Sequence, residues 1–171
     1  MNGKVQVYTG DGKGKTTAAL GLILRATGAG LRVYLGQFLK SSGTNEIRSL
    51  KKRFPEVTVE VFGSNKFVRG IPSKKDIALC LSGMKRVCDA VSSGKYDMVI
   101  CDEINVAAGL GIIKVADVLQ LIESRPPGVE LILTGRGAHR RVVACADLVV
   151  EMRNIKHYYD KGVKARRGIE K

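Results

Sequence analysis

The segment Thr9-Gly10-Asp11-Gly12-Lys13-Gly14-Lys15-Thr16-Thr17 constrains what this chain can fold into more than any other. It follows the apolar run Val5–Tyr8 and opens a helical pattern over Lys15–Thr27. Glycines at 10, 12 and 14 let the backbone curl with positive φ, so that successive N–H groups point inward, and the helix N-terminus adds partial positive charge. The result is a nest for phosphate oxygens. In such a loop Lys15 is expected to neutralise phosphate charge and the Thr16 hydroxyl to ligate Mg²⁺. The strict pattern GxxxxGK[ST] is broken at one place, where Thr9 stands in place of its first glycine.

The rest of the chain alternates short β-branched runs with longer helical patterns, the signature of a parallel sheet flanked by helices. Strands are expected at Val5–Tyr8, Val33–Phe38, Val57–Phe62, Met98–Asp102, Leu131–Thr134 and Leu148–Glu151. Helices are expected at Lys15–Thr27, Asn45–Arg53, Lys75–Ser92, Val115–Glu123 and Ala138–Cys145. Over Lys75–Ser92, Ile77, Cys80, Leu81, Met84, Val87, Cys88 and Val91 recur at three- and four-residue intervals, an apolar stripe that Gly94 can end as a C-cap. Continuous apolar strands such as Met98-Val99-Ile100-Cys101 indicate burial on both faces. The expected fold is one doubly wound α/β domain over residues 1–171, a mostly parallel sheet with helices on both faces of the P-loop NTPase, RecA-like kind. The glycine- and lysine-rich stretch from Gly63 to Lys75 reads as a long loop, a common location for function.

A second half of the phosphate site follows from Met98-Val99-Ile100-Cys101-Asp102-Glu103, an apolar strand ending in two carboxylates. Ligands of parallel sheets bind beyond the carboxyl ends of the strands, so Asp102 and Glu103 can reach the metal that Thr16 binds. At 171 residues, 44% hydrophobic and 26% charged, the composition is that of an ordinary globular domain, and no stretch approaches the ~20 apolar residues of a membrane span. The opening Met1-Asn2-Gly3-Lys4 leads directly into the first strand, so a cytoplasmic protein without a secretory leader is expected. The four cysteines, Cys80, Cys88, Cys101 and Cys145, form no CxxC pair and read as reduced core residues. A formal charge of +13 suits nucleic acid, anionic lipid or a polyphosphate equally.

Five segments taken together carry a resemblance to a known family. They are Gly10 to Ala19, Gln37-Phe38-Leu39-Lys40, Cys101-Asp102-Glu103, Leu133-Thr134-Gly135-Arg136-Gly137-Ala138-His139, and Lys156-His157-Tyr158-Tyr159-Asp160-Lys161-Gly162-Val163-Lys164-Ala165 with its continuation to Ile169. In that order they resemble the ATP:corrinoid adenosyltransferases, over nearly the whole chain. The resemblance implies attack by the cob(I) ion of a reduced corrinoid on C5′ of ATP, forming a cobalt–carbon bond and releasing triphosphate. It implies ATP and Mg²⁺ as cofactors and a corrinoid substrate (cobalamin, cobinamide or cobyrinic acid a,c-diamide). It further implies a homodimer and a flavoprotein electron donor.

Roles implied by the resemblance fall on Gly10, Asp11, Gly12, Lys13, Gly14, Lys15, Thr16 and Thr17 for the triphosphate, and on Thr16 and Glu103, with Asp102, for Mg²⁺. Arg136 and Arg25 are implied as further phosphate contacts. Family members carry an aromatic pair beside the corrinoid; this chain has no tryptophan, and Phe67 is the aromatic of the corresponding loop. A cob(I) ion is already a strong nucleophile, so the protein's task is to align C5′ and stabilise the departing polyphosphate. Two other readings of the P-loop remain, a RecA-like nucleic-acid-dependent ATPase and a small-molecule kinase. Nucleic acid is not expected as a partner, because no basic strand is interleaved with stacking aromatics, and a membrane is not expected, because no apolar stretch is long enough to span one.

Overall fold

The computed structural model describes residues 2–41, 43–64 and 72–170; Phe67 and most of the long loop lie outside them. The chain runs β1 (Val5–Thr9), α1 (Lys15–Gly28), β2 (Val33–Phe38), α2 (Asn45–Arg53), β3 (Val57–Phe62), α3 (Lys74–Ser92), β4 (Met98–Asp102), α4 (Ile104–Gly109), α5 (Val115–Ser124), β5 (Glu130–Thr134), α6 (Arg140–Cys145) and β6 (Leu148–Glu151). A 3-10 turn follows at Tyr158–Lys161. The strands form one six-stranded sheet in the order β3-β2-β4-β5-β1-β6, and every pairing is parallel.

Alternation along the strands sorts the core into two layers. Val33 and Leu35 of β2, Met98 and Ile100 of β4 and Ile132 of β5 pack with Ala19, Ile23 and Ala26 of α1 and Ile47 and Leu50 of α2. Their neighbours Tyr34, Phe38, Val99, Cys101, Leu131 and Leu133 point the other way, against residues of α3, α4, α5 and α6. This is the period-2 logic of a strand buried on both sides. The chain therefore moves outward from β1 to β3 with helices on one face and returns through β4, β5 and β6 with helices on the other, as right-handed crossovers require.

Opposite departures create crevices. The helix after β1 goes to one face and the helix after the adjacent β5 to the other; the same holds for β2 and β4. The carboxyl ends of these strands thus frame two neighbouring openings on one edge of the sheet, where ligands of such sheets bind.

Three expectations are corrected. Ile77 and Leu81 are exposed, and the buried stripe of α3 runs instead through Asp76, Cys80, Gly83, Met84, Val87, Ala90 and Val91, because the helix rolls Gly83 onto β3. Cys80 and Cys101 are buried, but Cys88 and Cys145 are exposed, the former beside the groove between α3 and α5 and the latter at the end of α6. The short α4 was not expected; at six residues it is too brief for its apolar period to register. The end of α3 is as the sequence suggests, with Gly94 just past the helix at φ 67°; at its start Ser73 and Asp76 form a capping box that was not expected.

A Cβ on Gly83 would lie 2.4 Å from the Phe62 ring, which itself packs on Phe38 at 5.3 Å between centroids. Gly83→Ala gains roughly 1 kcal/mol in helix propensity but overpacks this contact by about 1–3 kcal/mol. Urea denaturation is expected to show a net loss of stability, with α3 displaced from β3.

Candidate functional site

Residues 10–14 leave β1 and turn into α1. Gly10 and Gly14 have φ 90° and 123°. Gly12 does not have positive φ; it is glycine because the segment after β6 presses on it. Its N–H donates to Met152 O at 2.7 Å, and a Cβ there would lie 2.7 Å from that oxygen. Thr9, the departure from the strict pattern, accepts through Oγ1 a hydrogen bond from Ala138 N at 3.1 Å. A glycine could not make this tie between the phosphate loop and the turn after β5.

Lys15 is buried, its Nζ donating to Gly10 O at 2.6 Å and Gly12 O at 2.7 Å. Burial lowers its pKa; the positive charges of Arg136 and Lys40 act in the same direction against Glu103 and Asp11. Asp11, Lys13 and Thr17 are exposed on the loop and first turn. Lys13 Nζ donates to Tyr158 Oη at 2.9 Å and Glu170 Oε1 at 3.1 Å. Tyr158 Oη also contacts Glu170, and Arg166 reaches Glu170 at 3.0 Å. The C-terminal segment is thereby clasped onto the phosphate loop. Arg166 first, then Tyr158, hold the Glu170 carboxyl well below the usual range, so the clasp stays ionised throughout the neutral pH range.

The second half of the site centres on Asp102, fully buried at the end of β4. Its Oδ1 accepts from Thr134 Oγ1 at 2.6 Å and Thr16 Oγ1 at 3.0 Å. Its Oδ2 accepts from Gln37 Nε2 at 2.9 Å and Lys40 Nζ at 2.8 Å. Burial pushes the carboxyl upward, but Lys40 and these hydrogen bonds outweigh it and hold the pKa below the ordinary value. Glu103 follows in the left-handed region at φ 63°, a conformation a non-glycine residue keeps only where its surroundings impose it. Here Glu103 N donates to Thr134 Oγ1 at 3.0 Å, and the turn aims the carboxylate at Lys40 Nζ, 3.6 Å away. Burial raises the Glu103 pKa, with Asp102 adding to the rise.

The structure brings together Gly10–Thr16, Asp102 and Glu103, as expected. Arg136 stands exposed in the turn that follows β5, close enough for its charge to act on Lys15. Arg25 is not brought to the phosphate loop: it lies in the last turn of α1, ten residues on from Lys15 and so about 15 Å along the axis. The sequence reading assigned no role to Gln37, Lys40 or Thr134. Each lies in a segment noted for its resemblance, but their convergence depends on β2 lying beside β4. The motif histidines cap: His139 Nδ1 accepts from Arg141 N and His157 Nδ1 from Tyr159 N.

A glycine-rich loop between β1 and α1, an internal lysine, a threonine at the helix start and an acidic strand end define a P-loop nucleotide-binding α/β protein. The cytoplasmic domain of EssC shares the fold, with a TM-score of 0.55 at 18% identity over 96% of this chain and 34% of that one. The chain belongs to the ATP:corrinoid adenosyltransferase family BtuR/CobO/CobP, whose sequence profile matches residues 1–170. It is 33% identical over 169 residues to a corrinoid adenosyltransferase of Pseudomonas aeruginosa, covering 98% of this chain and 83% of that one. It is 35% identical over 168 residues to the Escherichia coli K12 enzyme of that name, covering 98% and 85%. For corrinoid adenosyltransferase CobA of Salmonella typhimurium the identity is 34% over 168 residues, again 98% and 85%.

Two measurements check the geometry. Thr134→Val keeps the volume but orphans Glu103 N and leaves Asp102 Oδ1 with Thr16 Oγ1 as its one donor among those described, and should cost about 1–3 kcal/mol in urea denaturation. Glu170→Gln should loosen the clasp on Lys13, read as faster limited proteolysis after β6 with the midpoint of unfolding nearly unchanged.

Proposed function

We propose that this chain transfers the 5′-deoxyadenosyl group of ATP to the cob(I) ion of a reduced corrinoid, in adenosylcobalamin biosynthesis or salvage. Cobalt supplies both electrons of the new Co–C5′ bond, and the C5′–O bond breaks toward the triphosphate, which leaves. The observation that carries the reading is a phosphate loop and strand-end site rich in cationic and N–H donors, within a chain of this family. In this reading Lys15, the loop amides and Arg136 would stabilise charge gathering on the leaving triphosphate.

The residues at the end of β4 fit Mg²⁺. Thr16 Oγ1 and the carboxylates of Asp102 and Glu103 are hard oxygen donors that converge on one positive group, the Lys40 ammonium. Among the described residues no cage of three or more His, Cys, Asp or Glu is gathered, in keeping with an ion that is held by one or two carboxylates and shares its other positions with phosphate and water. Thr16 and Glu103 would hold it, and Asp102, saturated by protein donors, would orient Thr16. Bound there, Mg²⁺ supplies charge neutralisation of the triphosphate.

The assembly in this reading is a homodimer. Leu148, Val149 and Val150 of the edge strand β6 are exposed, as are Ile155 and Ile169 beyond it, and apolar surface of this kind favours a partner. We place the enzyme in the cytoplasm, where the exposed thiols of Cys88 and Cys145 stay reduced. Among the described residues no helix is long and apolar enough to cross a membrane. A flavoprotein is our candidate for reducing the corrinoid before transfer.

Anaerobic incubation with ATP, Mg²⁺ and chemically reduced cobalamin or cobinamide is expected to yield a light-sensitive adenosylated corrinoid with equimolar triphosphate. Release of ADP would instead support a kinase. Lys15→Ala should lower turnover by about 100-fold or more with an unchanged circular dichroism spectrum. Glu103→Gln should raise the Mg²⁺ concentration needed for half-maximal rate.

A further inference from the structure

The reading above leaves Lys40 without a task, yet its position is among the most constrained in the described chain. Its Nζ lies 2.8 Å from Thr16 Oγ1, 2.8 Å from Asp102 Oδ2 and 3.6 Å from Glu103 Oε1. These are the oxygens assigned to the metal and to the residue that orients it. The backbone that delivers the side chain is equally fixed. Leu39, immediately before it, is at φ 58° and is, with Glu103, one of two non-glycine residues of positive φ among those described. Leu39 N donates to Phe62 O at 3.1 Å, and a Cβ on Gly63 would lie 2.4 Å from the backbone N and O of Lys40. Strained residues thus stand on both sides of the opening between β2 and β4, one delivering the ammonium and the other the carboxylate.

An ammonium at hydrogen-bond distance from these oxygens and a divalent ion at the ~2.0–2.1 Å that Mg²⁺ requires cannot both use the same lone pairs. Their charges would also repel strongly at such a separation in a partly buried site. We propose that Lys40 is a tethered cation that occupies the metal subsite of the nucleotide site, so that Mg²⁺ binds there only when it arrives with ATP. The incoming phosphates then offer the lysine an alternative anionic partner. The four-carbon stem and three donors of a lysine suit it to such a move, as a rigid guanidinium fork would not be suited. Lys40 is in this sense a positioning residue: it keeps Asp102 compensated and Thr16 oriented in the free protein, and sets the order in which metal and nucleotide enter. The proposal rests on reading this site as one for Mg²⁺ and ATP.

The test needs neither corrinoid nor turnover. Mn²⁺ binding, followed by electron paramagnetic resonance in the absence of nucleotide, is compared between the wild-type protein and Lys40→Met. Removal of the competing charge is expected to tighten Mn²⁺ binding by about tenfold or more. In parallel, millimolar Mg²⁺ alone should raise the Tm of the variant and leave that of the wild-type protein unchanged. Equal Mn²⁺ affinity in the two proteins, whether weak or strong, would overturn the proposal. If Lys40→Met does not fold, Lys40→Gln, which keeps a hydrogen-bond donor but not the charge, carries the same comparison. Equal affinities with normal adenosyl transfer discard the role of Lys40 alone. A clear difference in affinity without adenosyl transfer keeps the cation exchange and discards the reaction.

Discussion

A carboxylate buried at the centre of the sheet sets the terms for the site. Asp102 is shielded from water entirely, and an ionised group so placed is tolerated only when its oxygens are fully engaged by donors and at least one opposite charge. Four side chains from four different segments meet that demand: Thr16 from α1, Gln37 from β2, Lys40 from the turn beyond β2, and Thr134 from β5. The phosphate loop, the acidic strand end and the β2 turn are thereby held in one register by a single group. Removing the charged partner of such a pair typically costs about 3–5 kcal/mol, a large share of the ~5–15 kcal/mol of a whole domain.

The ion pairs on the surface play a smaller part. Arg86 with Glu60, Arg32 with Asp97 and Lys4 with Asp147 are all formed by substantially exposed side chains, where water and salt screen the attraction. Asp147 earns more notice for its backbone contact. Its Oδ2 accepts from Val5 N at 2.8 Å, fixing the start of β1 against the approach to β6, where a parallel ladder begins with an unmatched donor.

Much of the architecture was legible because its signals are local. β4 read as a buried strand from its uninterrupted apolar run, β2 from a short β-branched run between helical patterns, and α1 from the loop that opens it; their observed limits agree to within a residue. The phosphate loop with Asp102 and Glu103 was legible for the same reason, since glycine spacing and an acidic strand end have a mechanism attached. Lys40 was not, because its meaning arises from which strands are neighbours. A lysine two residues beyond a strand is ordinary until β2 is seen to lie against β4. Tyr158, Arg166 and Glu170 belong to the same class: a charged tail looks solvated in sequence, and its contact with Lys13 is a product of β6 pairing with β1. The roll of α3 escaped for a different reason, since Gly83 carries no hydrophobic signal although the helix packs there directly on the Phe62 side chain of β3.

The bond from Gly12 N to Met152 O and the pairing of Thr9 with Glu151 join two segments that lie far apart in the sequence. On a ribosome the phosphate loop emerges well before the strand that braces it. Contacts this distant in sequence form late and only after the intervening loops have closed. Until β6 has emerged the growing chain holds the loop's sequence without its brace, so the phosphate loop cannot take its final form before Leu148–Glu151 and Met152 are made.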